Sequence, residues 1–379
     1  MQEQDFSRER TGSLVSTLDG NPAFLPDPLS ALRLPLDWDL VRLLSQADAA
    51  VAEATGACRR HINPLIVLRP FQRNEAILSS RIEGTIATAR DVAVLEAKAG
   101  KDPLHSKRHS ADTREVANYL DALDLGIARL AEIPLSLRLI RDIHRRLMSG
   151  VRGEENTPGE FRRHQAAIGK PGQNEQEARF VPPPPQEMMA CLDDFEKFLH
   201  SEAYPPLIKM ALAHYQFEAI HPFGDGNGRT GRLLIPLMLL SEQRLGSPVL
   251  YLSPYFEKND REYRDHLLAI SQKGTWREWI TFVLRGVVSQ CKETIARLDE
   301  LDTLLKDYRD RVTDAPGPLQ AIIDDLLMRA VISADMIVQK YGVSHQTAIN
   351  WIRRLQAAKV LTDSLKSGRE TIYIAGRLL

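Results

Sequence analysis

An apolar helical pattern is broken by a glycine-rich segment and then resumes at once, in the stretch AIHPFGDGNGRTGRLLIPLML at residues 219–239. Pro222 disfavours helical geometry at the preceding residue, so we expect the first helix to end at His221. The glycines that follow allow a tight turn before a second helix begins near Arg229. The stretch therefore predicts two helices joined by a compact loop whose backbone amides turn inward.

The loop and the start of the second helix have the chemistry of a polyphosphate site. Inward-facing N–H groups form an anion-binding nest, and the N-terminus of the helix adds the positive end of its dipole. Arg229 and Arg232 are three residues apart, so we expect both guanidinium groups to point from one face toward the same anion. The stretch is not a P-loop, because the Lys-Ser/Thr pair is missing and a helix precedes the loop.

Two further side chains in this stretch suit metal binding and proton transfer. Asp225 supplies a hard oxygen ligand for a Mg²⁺ ion that bridges phosphates. His221 can take a proton from an attacking hydroxyl near neutral pH. An alternative is a metal hydrolase that uses His214, His221 and Asp225, since the seven-residue spacing places the histidines on one helix face. This alternative leaves the arginines and the glycine nest without a role.

The rest of the chain has an ordinary globular composition. Its 379 residues are 43% hydrophobic and 26% charged, which predicts two or three domains. Lys and Arg number 49 against 50 Asp and Glu, so any nucleic-acid partner must bind a local patch. Three widely spaced cysteines, Cys58, Cys191 and Cys291, indicate reduced, buried thiols. Without a signal-peptide pattern or an apolar run long enough to span a bilayer, we expect a cytoplasmic protein with no membrane partner.

Helical periodicity dominates, and we predict a mainly α fold with four parts and little strand before residue 370. Residues 1–28 are expected to be an extended tail, 29–108 a helical segment, 109–297 the core, and 298–379 a linker helix with a winged helix-turn-helix domain. The helices predicted in the first three parts are 39–56, 63–84 with an interruption at Pro70, 112–131, 135–148, 186–200 and 206–219. In the long irregular segment 151–185, RRHQAAIG and ARFVP can pair as a short β-hairpin.

The last sixty residues predict a helix, a tight turn at Gly342, a second helix capped by Ser344, and two short strands around KSGRE. This order is typical of a winged helix-turn-helix. From Pro316 onward, eight Lys/Arg against five Asp/Glu leave a net charge of +3, below that of most DNA-binding domains. Both DNA binding and a protein–protein or dimerisation role therefore stay open. On a DNA-binding helix, the residues facing bases and phosphates would be His345, Gln346, Asn350, Arg353 and Arg354.

The stretch HPFGDGNGRTGR matches the signature H-x-F-x-[DE]-G-N-G-R-x-x-R at every specified position, so the chain resembles the Fic family. Family members mostly transfer AMP from ATP to a hydroxyl side chain of a protein. The resemblance implies that His221 is the general base toward a Ser, Thr or Tyr hydroxyl, that Asp225 binds Mg²⁺, and that Phe223 holds the loop from the core. It implies ATP contacts from Gly226, Asn227, Gly228, Arg229, Thr230, Gly231 and Arg232, with Arg229 near the β-phosphate and Arg232 on the γ-phosphate.

A second motif resembles the inhibitory pattern of the family, [ST]-x-x-x-E-[GN]. In SSRIEG, residues 79–84, the specified places are taken by Ser79, Glu83 and Gly84. A Glu83 carboxylate paired with Arg232 would occupy the arginine meant for the γ-phosphate and would repel the triphosphate. The resemblance therefore implies an autoinhibited enzyme.

The resemblance also extends beyond these two motifs. It implies an adenine contact from Tyr263, with Tyr255 and Asn259 nearby, although helix packing is an alternative role for all three. It implies that Ile168 and Gly169, in a hairpin flap, align the backbone of a target by strand addition. The flap sequence AAIGKPG lacks the aromatic residues of many relatives.

Three functions follow as hypotheses. The first is a protein adenylyltransferase, expected to be a homodimer, that modifies a target protein or itself. The second is removal of AMP at the same site, with Glu83 orienting water. The third is a DNA-binding regulator whose nucleotide site senses ATP without reacting.

Overall fold

A computed structural model describes residues 1–35, 37–60, 64–98, 111–169, 177–242, 248–312, 317–367 and 370–379. The described helices of the first two hundred residues are α1 (Trp38–Arg59), α2 (Pro64–Ile82), α3 (Ala89–Lys98), α4 (Ala111–Leu130), α5 (Leu137–Leu147) and α6 (Pro185–Leu199). Those that follow are α7 (Pro206–Ile220), α8 (Asn227–Ser241), α9 (Ser253–Lys258), α10 (Asp260–Lys273), α11 (Trp276–Asp310), α12 (Gly317–Arg329), α13 (Ala334–Tyr341) and α14 (His345–Ala357). The strands are β1 (Gly12–Ser16), β2 (Pro22–Pro26), β3 (Val331–Ser333), β4 (Asp363–Ser367) and β5 (Glu370–Ile374).

The mainly α prediction is confirmed, and the predicted helices lie within a few residues of the observed ones. Helix α7 ends at Ile220 and His221 is its C-cap, as Pro222 requires. The predicted interruption at Pro70 is wrong, because α2 continues through that residue. Packing of α2 against α4, α9 and α12 compensates for the hydrogen bond that proline removes. None of the described helices combines the length and apolar character needed to cross a bilayer.

The first 28 residues contain a β-hairpin that the sequence analysis missed. Strands β1 and β2 pair antiparallel, with Leu14 opposite Phe24. Phe24 is fully buried, lies 5.6 Å from the ring of Phe180, and donates its N–H to the carbonyl of Val181 at 2.8 Å. Each strand has five residues, too few for alternation to stand out, so packing against residues 180–181 decides the structure.

The interior of the helical bundle is organised around α7. This helix is buried on nearly every side, as expected for a helix that is apolar all round. It packs against α6, α8, α10 and α11, and the Trp279 indole N–H donates to the carbonyl of Ala211 at 2.9 Å. Helix α11 links this core to a second one, because its residues to Leu298 belong to the first and those from Leu301 to the second.

The C-terminal module comprises α12 to α14 and a three-stranded antiparallel sheet of order β3-β5-β4. The predicted order of elements is present, with Gly342 at φ 65° between α13 and α14 and Ser344 Oγ accepting the N–H of Thr347. Strand β3 was not predicted. The module packs on α2 and α3, where Arg73 Nη2 donates to the carbonyl of Met328 at 2.8 Å. The boundary predicted near residue 109 and the Gly-Arg of KSGRE lie outside the described residues.

Candidate functional site

His221 lies at the point where α7 ends. Its backbone is left-handed, with φ 51° and ψ 60°, which turns the chain sharply into Pro222. The side chain is half-buried, and burial lowers the pKa of His221 to about 4, with the positive charge of Arg162 acting in the same direction. The imidazole is therefore neutral near pH 7 and able to accept a proton.

The loop after His221 is held by its own side chains. Asn227 Oδ1 accepts the N–H of Phe223 at 2.8 Å, and Asn227 Nδ2 donates to the carbonyl of Phe223 at 2.8 Å. Gly226, with φ 74°, is the N-cap of α8, a backbone conformation that favours glycine. Phe223 is fully buried, as expected for the residue that anchors the loop in the core. The Asn227 side chain thus holds the loop, and its predicted contact with ATP stays a prediction.

His144 on α5 packs against the loop, and it was not identified from the sequence. Its ring stacks on Phe223 with centroids 3.7 Å apart. Since Nδ1 accepts the N–H of Gly159 at 2.8 Å, Nε2 carries the proton and donates to the carbonyl of Asp225 at 2.9 Å. Burial lowers the pKa of His144 to about 4, so this neutral tautomer persists. A lone histidine on an apolar helix face carries no signal for such a role.

The two arginines of the motif are both buried, but they do not share an anion as predicted. Arg229 Nη1 donates to Glu115 Oε2 on α4 at 3.1 Å, whereas Arg232 Nη2 donates to Glu83 Oε1 at 2.6 Å. Helix α8 lies between α4 and the end of α2, so each guanidinium meets a carboxylate from a different side. Glu115 was also missed, because nothing in its local sequence connects it to the motif.

The predicted ion pair between Glu83 and Arg232 is present, and Ser79 completes it. Ser79 Oγ accepts from Arg232 Nε at 2.9 Å and the Ser79 carbonyl accepts from Nη2 at 3.0 Å. Burial opposes ionisation of Glu83, but the charge and hydrogen bond of Arg232 outweigh it and lower the pKa of the carboxyl. Gly84, at φ 87°, supplies the left-handed turn that follows. Glu83 is therefore an anion held on Arg232.

The carboxylate of Glu83 also lies against the first turn of α8. A Cβ added at Gly228 would overlap Glu83 Oε1, so only glycine allows this approach. At Gly231, a Cβ would overlap Glu218 Oε1. The Thr230 hydroxyl donates to the carbonyl of Gly226 at 2.8 Å. Gly231 and Thr230 thus serve packing and the helix, and their predicted contacts with ATP stay predictions.

One cavity of about 540 Å³ brings several of the predicted functional residues together, but Asp225, Asn227 and Arg229 are not among the described residues that line it. Base, arginine, inhibitory glutamate and flap residues all contribute to its wall. The lining residues include Ile82, Glu83, Ile168, Gly169, Glu218, His221, Gly228, Arg232, Tyr263, Arg264, Leu267 and Leu268. The flap contributes through an antiparallel bridge between Ile168 and Phe180, all that the described residues show of the predicted hairpin, since 170–176 lie outside them.

The proposed adenine contacts do not lie together in this cavity. Tyr263 lines it, yet its ring is buried and its hydroxyl bonds His214 Nε2 at 2.8 Å. Asn259 and Tyr255 are not among the described lining residues. Asn259 Nδ2 instead donates to the carbonyl of Tyr255 at 2.8 Å, and the Tyr255 ring packs on Gly286. These two positions fit the alternative role in helix packing.

The metal-hydrolase alternative is wrong for the described residues. His214 Nδ1 donates to the carbonyl of Gly231 at 3.2 Å, and Nε2 accepts from Tyr263, so neither nitrogen is available to a metal. Within the ranges that the structure describes, no three His, Cys, Asp or Glu side chains are placed to bind a metal. Asp225 remains as a single carboxylate, half-buried, whose Oδ1 accepts the N–H of Gly226 at 2.5 Å. One carboxylate together with phosphate oxygens is a donor set that suits Mg²⁺.

Two more residues near His221 escaped the sequence analysis. Glu218 lines the cavity, and burial raises the pKa of its carboxyl to about 7. Arg162 is buried beside the main chain of His221. Both occupy unremarkable sequence positions, one on the apolar helix and one in the irregular segment, so only packing shows their place.

Glu83 and the motif around His221 lie within regions that match two family models. Residues 134–239 match the Fic/DOC family model and residues 41–128 match its N-terminal companion, Fic/DOC family N-terminal. Protein adenylyltransferase Fic of Drosophila yakuba is 29% identical over 288 residues, covering 73% of this chain and 48% of that protein. The Drosophila grimshawi protein of the same name is 30% identical, covering 73% and 50%. The chain therefore spans about half the length of these curated relatives.

Solved structures share the fold. A Fic family protein from Desulfovibrio desulfuricans G20 has a TM-score of 0.57 and 21% identity, covering 90% of this chain and 98% of that chain. Fic-1 from C. elegans, residues 134–508, has a TM-score of 0.50 and 20% identity, covering 69% and 73%. At these identities the likeness extends to the fold alone.

Proposed function

Since the chain belongs to the Fic/DOC family, we propose that it is a protein adenylyltransferase restrained by its own Glu83. It would transfer AMP from ATP to a Ser, Thr or Tyr hydroxyl of a target protein or of itself. The observation that carries the proposal is one cavity in which His221 lies beside an Arg232 already paired with a carboxylate.

The reaction asks little of the protein beyond positioning and proton transfer. The target hydroxyl oxygen attacks the α-phosphorus, the bond from that phosphorus to the α,β-bridging oxygen breaks, and pyrophosphate leaves. The hydroxyl proton passes to the neutral imidazole of His221, whose low pKa keeps it unprotonated before substrate binds. The flap edge at Ile168 and Gly169 would align the target backbone beside the cavity.

The first turn of α8 would hold the phosphates. Its backbone amides and the positive end of its dipole would face the phosphates, and Gly228 carries no side chain to block their approach. Arg232 would bind the γ-phosphate once Glu83 has left it. Asp225 would hold a Mg²⁺ ion, which when bound neutralises phosphate charge.

The restraint follows from competition for Arg232. The Glu83 carboxylate occupies the guanidinium and lies where a Cβ on Gly228 would be, so it also faces the first turn of α8. An anion at that place repels a triphosphate and moves its α-phosphorus away from the line of attack. The side chain of Glu83 is 32% exposed, so it can leave without unfolding the site.

The test incubates purified wild type, Glu83→Gly and His221→Ala with a cell lysate, Mg²⁺ and ATP labelled on either the α- or the γ-phosphate. We expect protein to be labelled from the α position only, more strongly with Glu83→Gly and not at all with His221→Ala. Glu132→Gly, an exposed glutamate in a turn, is the matched control and should label like wild type. Label from the γ position, or none with Glu83→Gly, would overturn the proposal.

We propose DNA as a second partner, bound by the C-terminal module. Helix α14 contains no acidic residue and leaves Gln346, Asn350 and Arg353 exposed at spacings that share one face. A gel-shift assay with mixed genomic fragments should show salt-sensitive binding that Arg353→Ala weakens and that substitution of the exposed Arg329 on α12, Arg329→Ala, does not. Equal binding by both variants would argue for the dimerisation role instead.

A further inference from the structure

The position of His221 needs an explanation that the ring itself does not supply. A left-handed backbone costs a non-glycine residue roughly 1–2 kcal/mol, and His221 has φ 51°. Among the described residues, Nδ1 of its ring has no hydrogen-bond partner. A general base must nevertheless stay within hydrogen-bond reach of the proton it removes. The main chain at His221 is therefore a part of the molecule that can set the direction of the imidazole.

Arg162 holds that main chain. Its Nε donates to the carbonyl of His221 at 2.8 Å, and its Nη2 donates to the carbonyl of Ile220 at 3.3 Å. The backbone N–H of Arg162 donates to the carbonyl of Pro222 at 2.9 Å. One residue thus binds three consecutive carbonyls around the point where α7 ends.

The same guanidinium reaches both chains at the base of the flap. Nη1 donates to the carbonyl of His164 at 3.1 Å, and Nη2 donates to the carbonyl of Pro183 at 2.6 Å. His164 precedes the flap residue Ile168 and Pro183 follows its bridge partner Phe180. Arg162 therefore joins the base of the flap to the residue that bears the imidazole.

This arginine differs from the two in the motif. Arg229 and Arg232 each pair with a carboxylate, whereas Arg162, also buried, has no carboxylate within ion-pair distance in the described parts of the chain. Burial lowers the pKa of Arg162 to about 10, so it remains a cation at neutral pH. A buried charge without an anion is costly, and here only carbonyls and the negative end of the α7 dipole offset that cost.

We propose that Arg162 is a positioning residue for AMP transfer, aiming the imidazole of His221 by fixing the carbonyls of Ile220 and His221 and linking them to the flap base. This inference rests on the proposed function. The clamp requires the forked geometry of a guanidinium, because four carbonyls lie in different directions around one group. Lysine would keep the charge and lose most of the clamp, while glutamine would lose both.

The experiment measures AMP transfer in the Glu83→Gly background, which removes the restraint. We expect Arg162→Lys and Arg162→Gln to lower kcat roughly 100-fold, the effect of a small misalignment, while KM for ATP changes less than about threefold. The neighbouring Arg163, which is exposed, provides the control: Arg163→Gln should transfer AMP like the parent.

The pH profile separates positioning from general stability. The charge of Arg162 lowers the pKa of His221, whereas the backbone of Glu218 and the charge of Glu83 raise it, and the cationic side chains of Arg232 and Arg264 line the same cavity. Burial is the main cause of the low pKa of His221, so in Arg162→Gln the acidic limb of kcat/KM should move up but stay below the ordinary histidine value of about 6.5, whereas in Arg162→Lys it should stay in place. A purely structural role would lower the rate without moving the limb.

The outcomes are distinct. Arg162 variants that transfer AMP at more than half the parent rate overturn the inference. So does an Arg162→Gln protein that loses its thermal midpoint and direct ATP binding together with activity, while its acidic limb stays in place. A Glu83→Gly parent that transfers no AMP overturns the proposed function instead, and this inference with it.

Discussion

Two sides of α8 present the same chemistry with different surroundings. On the α4 side, Arg229 and Glu115 are sealed, each side chain 2% exposed. On the α2 side, Arg232 is equally buried but Glu83 is 32% exposed and borders the cavity. The two arginines are three residues apart on one helix, yet one ion pair is enclosed in the protein and the other borders a cavity. Burial of the carboxylate, and not of the arginine, makes this difference.

Replacing each carboxylate by its amide should give the largest contrast, in stability. Glu115→Gln leaves the buried Arg229 with only the more distant Asp225 carboxylate, 3.7 Å away, and should cost about 3 kcal/mol of unfolding free energy. Glu83→Gln removes a partner that water can partly replace and should cost about 1 kcal/mol or less. Urea denaturation of the two variants and the wild type measures both values. Equal losses would show that the two sides are not different.

The same pair of variants should differ in the opposite sense in activity. Glu83→Gln removes about 1 kcal/mol of competition for Arg232, so it should raise AMP transfer roughly fivefold. Glu115→Gln should not raise it, because no cavity opens beside Arg229. Initial rates with α-labelled ATP at fixed protein concentration compare the variants, and activation by Glu115→Gln would break the comparison.

Gly228 tests whether the carboxylate of Glu83 lies where the structure places it. The added methyl of Gly228→Ala overlaps Glu83 Oε1, so it should cost about 1–2 kcal/mol in an otherwise wild-type chain. In the Glu83→Gly background the cost should fall, and what remains is the approach of the methyl group to Arg232 Nη1 at 2.9 Å. A double-mutant cycle from urea denaturation gives the coupling energy, and a value near zero would place Glu83 elsewhere.

Lowering the pH should have a smaller effect, a loss of folding stability caused by His144. Burial lowers the pKa of His144 beside Arg229 to about 4, whereas the unfolded chain takes up that proton near pH 6.5. The stability this neutral histidine contributes is present above pH 6.5 and is lost as pH falls toward 4, by about 1 kcal/mol per pH unit. His214 and His221 act in the same sense, and the raised pKa of Glu218 acts in the opposite one.

Thermal unfolding at pH 7.5 and pH 5 checks this. His144→Gln should lose less of its midpoint on acidification than wild type, while His200→Gln, at an exposed position, should behave like wild type. A wild-type midpoint that does not fall between these pH values would contradict the assigned protonation state.

Several features of the candidate site could be predicted from the local sequence. Pro222 ended α7 at His221, the glycines turned the chain, and the pairing of Glu83 with Arg232 followed from two short motifs. These features depend on relations within a few residues, or on motif chemistry that specifies both partners. Helix periodicity located most helices for the same reason.

What surrounds those residues was decided by tertiary structure. Glu115, which lies 114 residues before Arg229, accepts a hydrogen bond from this arginine, which was expected to bind phosphate. Arg162 donates a hydrogen bond to the carbonyl of His221. Asn259 lay outside the cavity, and the β1–β2 hairpin formed against residues near Phe180. The sequence alone determined the helices, the loop and the chemistry of its side chains, because these depend on neighbouring residues. The choice of partner for each buried charge depends on which distant segments pack together, and only the folded chain decides that.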